Sequence, residues 1–136
     1  MTLHRAAPAT AIATSAQSLT LVMAGFMGAA GVVLAALSAH QGDTGRLGPA
    51  STMLLFHAPA VIGAVLLTGL GMVQRHLGLA AVFGLIAGAV LFSGDLVVRH
   101  YTGSAPIPMA APTGGTLLIL SWLALAVAAA WPRRAG

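Results

Sequence analysis

The stretch LTLVMAGFMGAAGVVLAALSA, Leu19–Ala39, holds 21 residues without one charged side chain. A helix rising about 1.5 Å per residue over that length reaches about 30 Å, the thickness of a bilayer's hydrocarbon core. It therefore reads as a first membrane span. A secretory signal is the rival reading, because Arg5 precedes a run that ends in Leu37-Ser38-Ala39, small residues of the kind signal peptidase cuts. The run exceeds the roughly 7 to 15 apolar residues of a signal core, which favours a retained span.

Three further runs follow the same logic. They cover residues 52–73, 77–98 and 113–131, within a transmembrane domain of residues 18–132. The lead, residues 1–17, is small and polar with Pro8 and is expected to be disordered. The stretch HQGDTGRLGPAS from His40 to Ser51 is expected to be a loop, and Gln74-Arg75-His76 a tight turn. Arg99–Pro112 carries Pro106, Pro108 and Pro112 and reads as an extended connection, while residues 133–136 form a basic tail. In lipid only helices or closed barrels satisfy their backbone, and these runs do not alternate as barrel strands do. The fold expected is an all-α membrane protein, four transmembrane helices in an up-down-up-down bundle.

Composition agrees. Of 136 residues, 58% are hydrophobic and 6% charged, and the mean hydropathy is +0.95. Eight charged side chains cannot coat a water-soluble domain of this size, since such domains carry about 25% charged residues. The net charge of +4 comes from six arginines, no lysine and two acids, Asp43 and Asp95. Spread over so apolar a chain it marks topology rather than a nucleic-acid patch. The absence of cysteine removes disulfides, thiolate metal sites and a thiol nucleophile. Lack of lysine beside abundant alanine and glycine points to a GC-rich bacterial genome and hence to a bacterial inner membrane. Four spans place Arg5, Arg75, Arg133 and Arg134 on one side against Arg46 and Arg99 on the other, which orients both termini toward the cytoplasm.

Lipid is as apolar as leucine, so helices associate in it through close approach of small residues. Gly84 and Gly88 form a GxxxG in the third span, and Gly31, Ala35 and Ala39 a ridge in the first with Gly28 one turn above. These residues serve packing within the chain or a homo-oligomer. Trp131 and Tyr101 fall at span ends as interfacial anchors, and Trp122 reads as packing.

In this topology His40, His57, Asp95, Arg99 and His100 arrive at one level on the outer side. Ionisable groups in a membrane cost several kcal/mol unless paired or near water. Asp95 lies about three residues inside the expected span end, with Arg99 at i+4, which reads as an interfacial ion pair. His57 is deeper, and Pro59 should free the carbonyl of Leu55 nearby, so the ring is expected to bond such a carbonyl or a neighbouring helix. A metal or heme site on His57, His40 and Asp95 is the alternative, although the ligand types are scattered with no HxxxH-like spacing. No nucleophile elbow, phosphate loop or carboxylate pair is present, so no catalytic residue and no enzymatic activity are expected.

Four motifs in order carry a resemblance. They are Ala35-Ala36-Leu37-Ser38-Ala39-His40, Phe56-His57-Ala58-Pro59-Ala60-Val61, Leu91-Phe92-Ser93-Gly94-Asp95-Leu96 through Tyr101-Thr102-Gly103, and Pro112-Thr113-Gly114-Gly115 with Ser121-Trp122-Leu123. With this order and spacing the chain resembles the bacterial YgdD/YwdK-like small membrane proteins, the domain of unknown function 423, a family similar to transmembrane protein 256 of eukaryotes. The likeness runs from Leu19 to Trp131, and it adds Gly114 and Gly115 to the helix-packing candidates. His40 and His57 match the pattern. Leu54 stands where it has histidine, Asp95 where it has serine, and Arg99 and His100 where it is apolar.

The resemblance implies a membrane fold but no activity. The reading reached is a non-enzymatic accessory or scaffolding subunit of a larger membrane assembly, with the lipid bilayer and a membrane-protein partner or a second copy as its contacts, and with no cofactor. A metal, heme or proton site on His57, His40 and Asp95 is the alternative, and a small proton-coupled transporter ranks last.

Overall fold

A computed structural model describes residues 15–42, 45–105 and 107–131. The expectations for the lead before Ser15 and for the Arg133–Arg134 tail lie outside the described residues, as does Asp43, while residues 15–17, expected in the disordered lead, are the start of a helix. All regular structure described is helical: α1 (Ser15–His40), α2 (Leu47–Gly69), α3 (Arg75–Thr102) and α4 (Ala110–Ala130). Each is long and apolar enough to cross a membrane.

The helices begin earlier than the breakers in the sequence suggested. α2 starts at Leu47 rather than at 52, because Pro49 occupies its first turn, where no intrahelical N–H is required. Pro112 occupies the first turn of α4 in the same way, so α4 starts at Ala110 rather than at 113 and the connection from α3 shrinks to residues 103–109. α2 ends at Gly69, not 73, in a Schellman motif. There Met72 N–H donates to Leu67 O at 2.9 Å and Gly71 N–H to Thr68 O at 3.2 Å, with Gly71 at φ +68°. The turn expected at Gln74-Arg75-His76 is instead a helix start, for Gln74 caps α3 by accepting from Leu77 N–H at 2.7 Å. α3 then runs to Thr102, four residues beyond the expected end, and stops at Gly103 with φ +73°.

Hydrogen bonds join neighbouring helices. Ser51 of α2 donates to Gly31 O of α1 at 2.7 Å, and Ser93 of α3 donates to Ala50 O of α2 at 2.9 Å. At the other end Gln74 N–H donates to Ala128 O of α4 at 2.9 Å. α2 lies between α1 and α3, and α4 packs along α3; no comparable α1–α4 seam forms among the described residues. The largest fully enclosed side chains are Leu47, Val61, Val82 and Leu85.

Glycine decides which helices approach closely. A Cβ on Gly88 would lie 2.9 Å from Gly114 O, and one on Gly114 would lie 2.7 Å from Phe92 N, so α3 and α4 meet backbone to backbone. A Cβ on Gly84 would collide with Ser121 Oγ, and one on Gly31 would lie 2.7 Å from Leu55 Cγ. Gly28 and Gly115 are different: their nearest neighbours, at 3.8 and 3.9 Å, are ordinary contacts that do not demand glycine. Such close seams are how helices gain dispersion energy in lipid. The outer helices are the less covered pair, with 22% of the most apolar window of α1 and of α4 buried against 44% in α2 and α3.

Candidate functional site

Asp95 is the most deeply buried charged residue described, with its side chain wholly enclosed. The longer α3 leaves seven residues between it and the helix end at Thr102, about 10 Å of rise. The Asp95–Arg99 pair expected from the sequence forms, and its carboxylate is enclosed within the helix array. Its Oδ2 accepts from Arg99 Nε at 2.7 Å, and the Arg99 side chain is 34% exposed, so the guanidinium carries the charge toward the surface. Asp95 Oδ1 is enclosed with no hydrogen-bond partner among the described residues.

Asp95 stands level with the first turn of α2, because Ser93 and Arg99 on either side of it both bond there. Ser93 reaches Ala50 O, and Arg46 Nη1 donates to Arg99 O at 2.9 Å.

His57 is buried on α2, and both of its ring nitrogens are engaged. Trp122 Nε1–H of α4 donates to Nε2 across a long 3.3 Å, which makes Nε2 the acceptor and places the proton on Nδ1. Nδ1–H then donates to Met53 O at 2.7 Å, one turn back on the same helix. The ring thus bonds a carbonyl and a neighbouring helix as expected, but the carbonyl is that of Met53 rather than that of Leu55. Trp122, read from sequence as packing, is a polar partner as well as a tilted ring neighbour at 6.2 Å.

The convergence of five polar residues divides into parts. Asp95 and Arg99 form a pair and Arg46 joins them through the backbone, while His57 belongs to the α2–α4 contact. His40, the last residue of α1, is exposed, and His100 stacks edge-on against Tyr101 at 4.8 Å. Among the described residues no group of three histidine, cysteine, aspartate or glutamate side chains is placed to hold a metal ion. Arg46, Ser51 and Ser93 were not singled out by sequence reasoning. For Ser93 the signal was present, since a hydroxyl in an apolar run needs an acceptor and a preceding turn or a facing helix supplies it, whereas Arg46 and Ser51 fell in the expected loop.

One cavity accompanies these groups, a groove of about 630 Å³ between α1 and α3 over the floor residue Leu54. Phe26 and Val33 of α1 and Val90, Gly94 and Val98 of α3 form its walls. Its polar member, Ser93, already donates to Ala50 O.

Four helices long and apolar enough to cross a membrane, joined by glycine seams and hydroxyl-to-carbonyl bonds, fit a multi-pass membrane protein of the α-helical class. Residues 27–115 match the family described as Protein of unknown function (DUF423), and the chain belongs to that family. The match takes in His40, His57, Asp95 and the Gly114–Gly115 pair, and ends before Trp122. No solved structure matches the chain.

Proposed function

We propose that the protein is a non-enzymatic accessory or scaffolding subunit of a larger membrane assembly. Its four helices run up-down-up-down through a bacterial cytoplasmic membrane with both termini inside. The observation that carries this reading is the use made of buried polar groups. Ser51, Ser93 and His57 each bond a backbone carbonyl, and with Trp122 they fasten α1 to α2, α2 to α3 and α2 to α4. The flanks of α1 and α4 stay open, as suits a chain whose outer helices seat against something else. Purification from native membranes in mild detergent without crosslinking should bring down a stoichiometric membrane-protein partner. A monodisperse monomer obtained both in detergent and in native-lipid discs would contradict it.

A second reading is favoured by Asp95 Oδ1, a buried carboxylate oxygen with no partner among the described residues, which suits a proton site. Under the accessory reading Asp95→Asn leaves proton permeability of reconstituted vesicles unchanged. Loss of a proton-coupled flux in that variant would move the assignment to transport.

A further inference from the structure

The charges divide unevenly along the sequence. In the sequence Asp43 and Asp95 lie within four residues of Arg46 and Arg99, and Asp95 pairs with Arg99 where α2 begins and α3 finishes. The net charge of +4 is thereby accounted for by the other four arginines, Arg5, Arg75, Arg133 and Arg134. None of these has an acid near it in the chain. Arg75 and His76 open α3, both exposed, with no acidic residue in the first turn, where the positive pole of the helix adds to the charge of Arg75. The Gln74-to-Ala128 bond seats this helix start against the end of α4, from which the chain continues into Pro132-Arg133-Arg134.

The same end exposes large apolar side chains in a turn rather than on a helix. Leu70 is 73% exposed, Met72 45% and Trp131 56%. A turn facing bulk water favours polar side chains, whereas apolar and aromatic groups interleaved with cations suit the boundary between acyl chains and headgroups.

We propose that this end is a binding face for anionic phospholipid headgroups, with Leu70, Met72 and Trp131 entering the boundary and Arg75 with His76 meeting the phosphate. The proposal rests on the membrane reading above and is independent of which side the termini occupy. Charge complementarity selects the lipid: among the described residues the face holds Arg75 and no acid, so a zwitterionic headgroup gains less there than an anionic one.

Trp131 supplies the readout. In the full chain carrying Trp122→Phe, Trp131 is the remaining tryptophan, and its quenching by brominated lipid in reconstituted bilayers reports which headgroup sits beside it. Brominated phosphatidylglycerol should be favoured over brominated phosphatidylcholine by about fivefold or more, the effect of about one interfacial arginine. Arg75→Gln should bring the preference down by about that factor. Arg75→Lys should retain it, and Arg46→Gln at the opposite end should not alter it. Equal quenching by the two lipids, or a preference that survives Arg75→Gln, overturns the proposal. Competition by inorganic phosphate beyond that of chloride at equal ionic strength overturns the lipid assignment in favour of a free anion. Absence of quenching by either lipid would instead overturn the membrane reading itself.

Discussion

α3 presents two unlike faces. Toward α4 it offers Gly84 and Gly88 with Phe92 against Gly114, and the two backbones come close enough that a Cβ has no room. Toward α1 it offers Val90, Gly94 and Val98, and a groove stays open. A Cβ on Gly94 would meet nothing within 4 Å. Glycine in a membrane helix is thus two different residues, a requirement of contact on one face and a neutral occupant on the other. Hydropathy does not separate them.

That contrast can be broken by substitution. Gly114→Leu should cost the most, about 3 kcal/mol or more by overpacking, because the obstructing atoms are Phe92 N and Gly88 O and backbone cannot swing aside. Reversible unfolding in mixed micelles measures this, and near wild-type stability would remove the seam from the account. Arg99→Leu comes next. It leaves the enclosed Asp95 carboxylate without its cation, at about 2 kcal/mol once the partial exposure of Arg99 is allowed for, whereas Asp95→Leu should cost less because Arg99 can turn outward. The same unfolding series gives the order of the two, and the reverse order would contradict the burial described.

Ser93→Ala removes the hydroxyl bond to Ala50 O and should cost about 0.6 kcal/mol, the average for a polar contact between membrane helices. A loss several times larger would mean that the α2–α3 contact depends on this bond. Gly94→Leu should be the mildest, within about 0.5 kcal/mol of wild type, since its side chain enters open space. A loss comparable with that of Gly114→Leu would show the groove to be closed.

The sequence made the four helices legible because length without charge is enough to specify a span. It also flagged Gly31, Gly84, Gly88 and Gly114 at the close contacts and His57 and Asp95 among the buried polar groups. Helix starts were less legible, since Pro49 and Pro112 break a helix interior but are tolerated in a first turn, and composition alone does not tell the two apart. The Asp95–Arg99 pair was legible from its i+4 spacing, whereas the enclosure of its carboxylate was not. The open flanks were not legible at all. A side chain facing lipid and one facing a neighbouring helix are equally apolar, so α1 and α4 carry no periodic mark of what lies against them.

Disulfide trapping tests the open arrangement most directly, because the chain has no cysteine and any pair can be introduced without background. Gly28→Cys with Ala58→Cys should crosslink within one chain in native membranes, since a Cβ at 28 would lie 3.8 Å from that of Ala58, the separation disulfides need. Gly25→Cys with Leu120→Cys, near the middles of the two outer helices, should give no crosslink within one chain. Efficient intrachain trapping of that second pair would mean that α1 and α4 close on each other, and would contradict an array whose flanks are left for a partner.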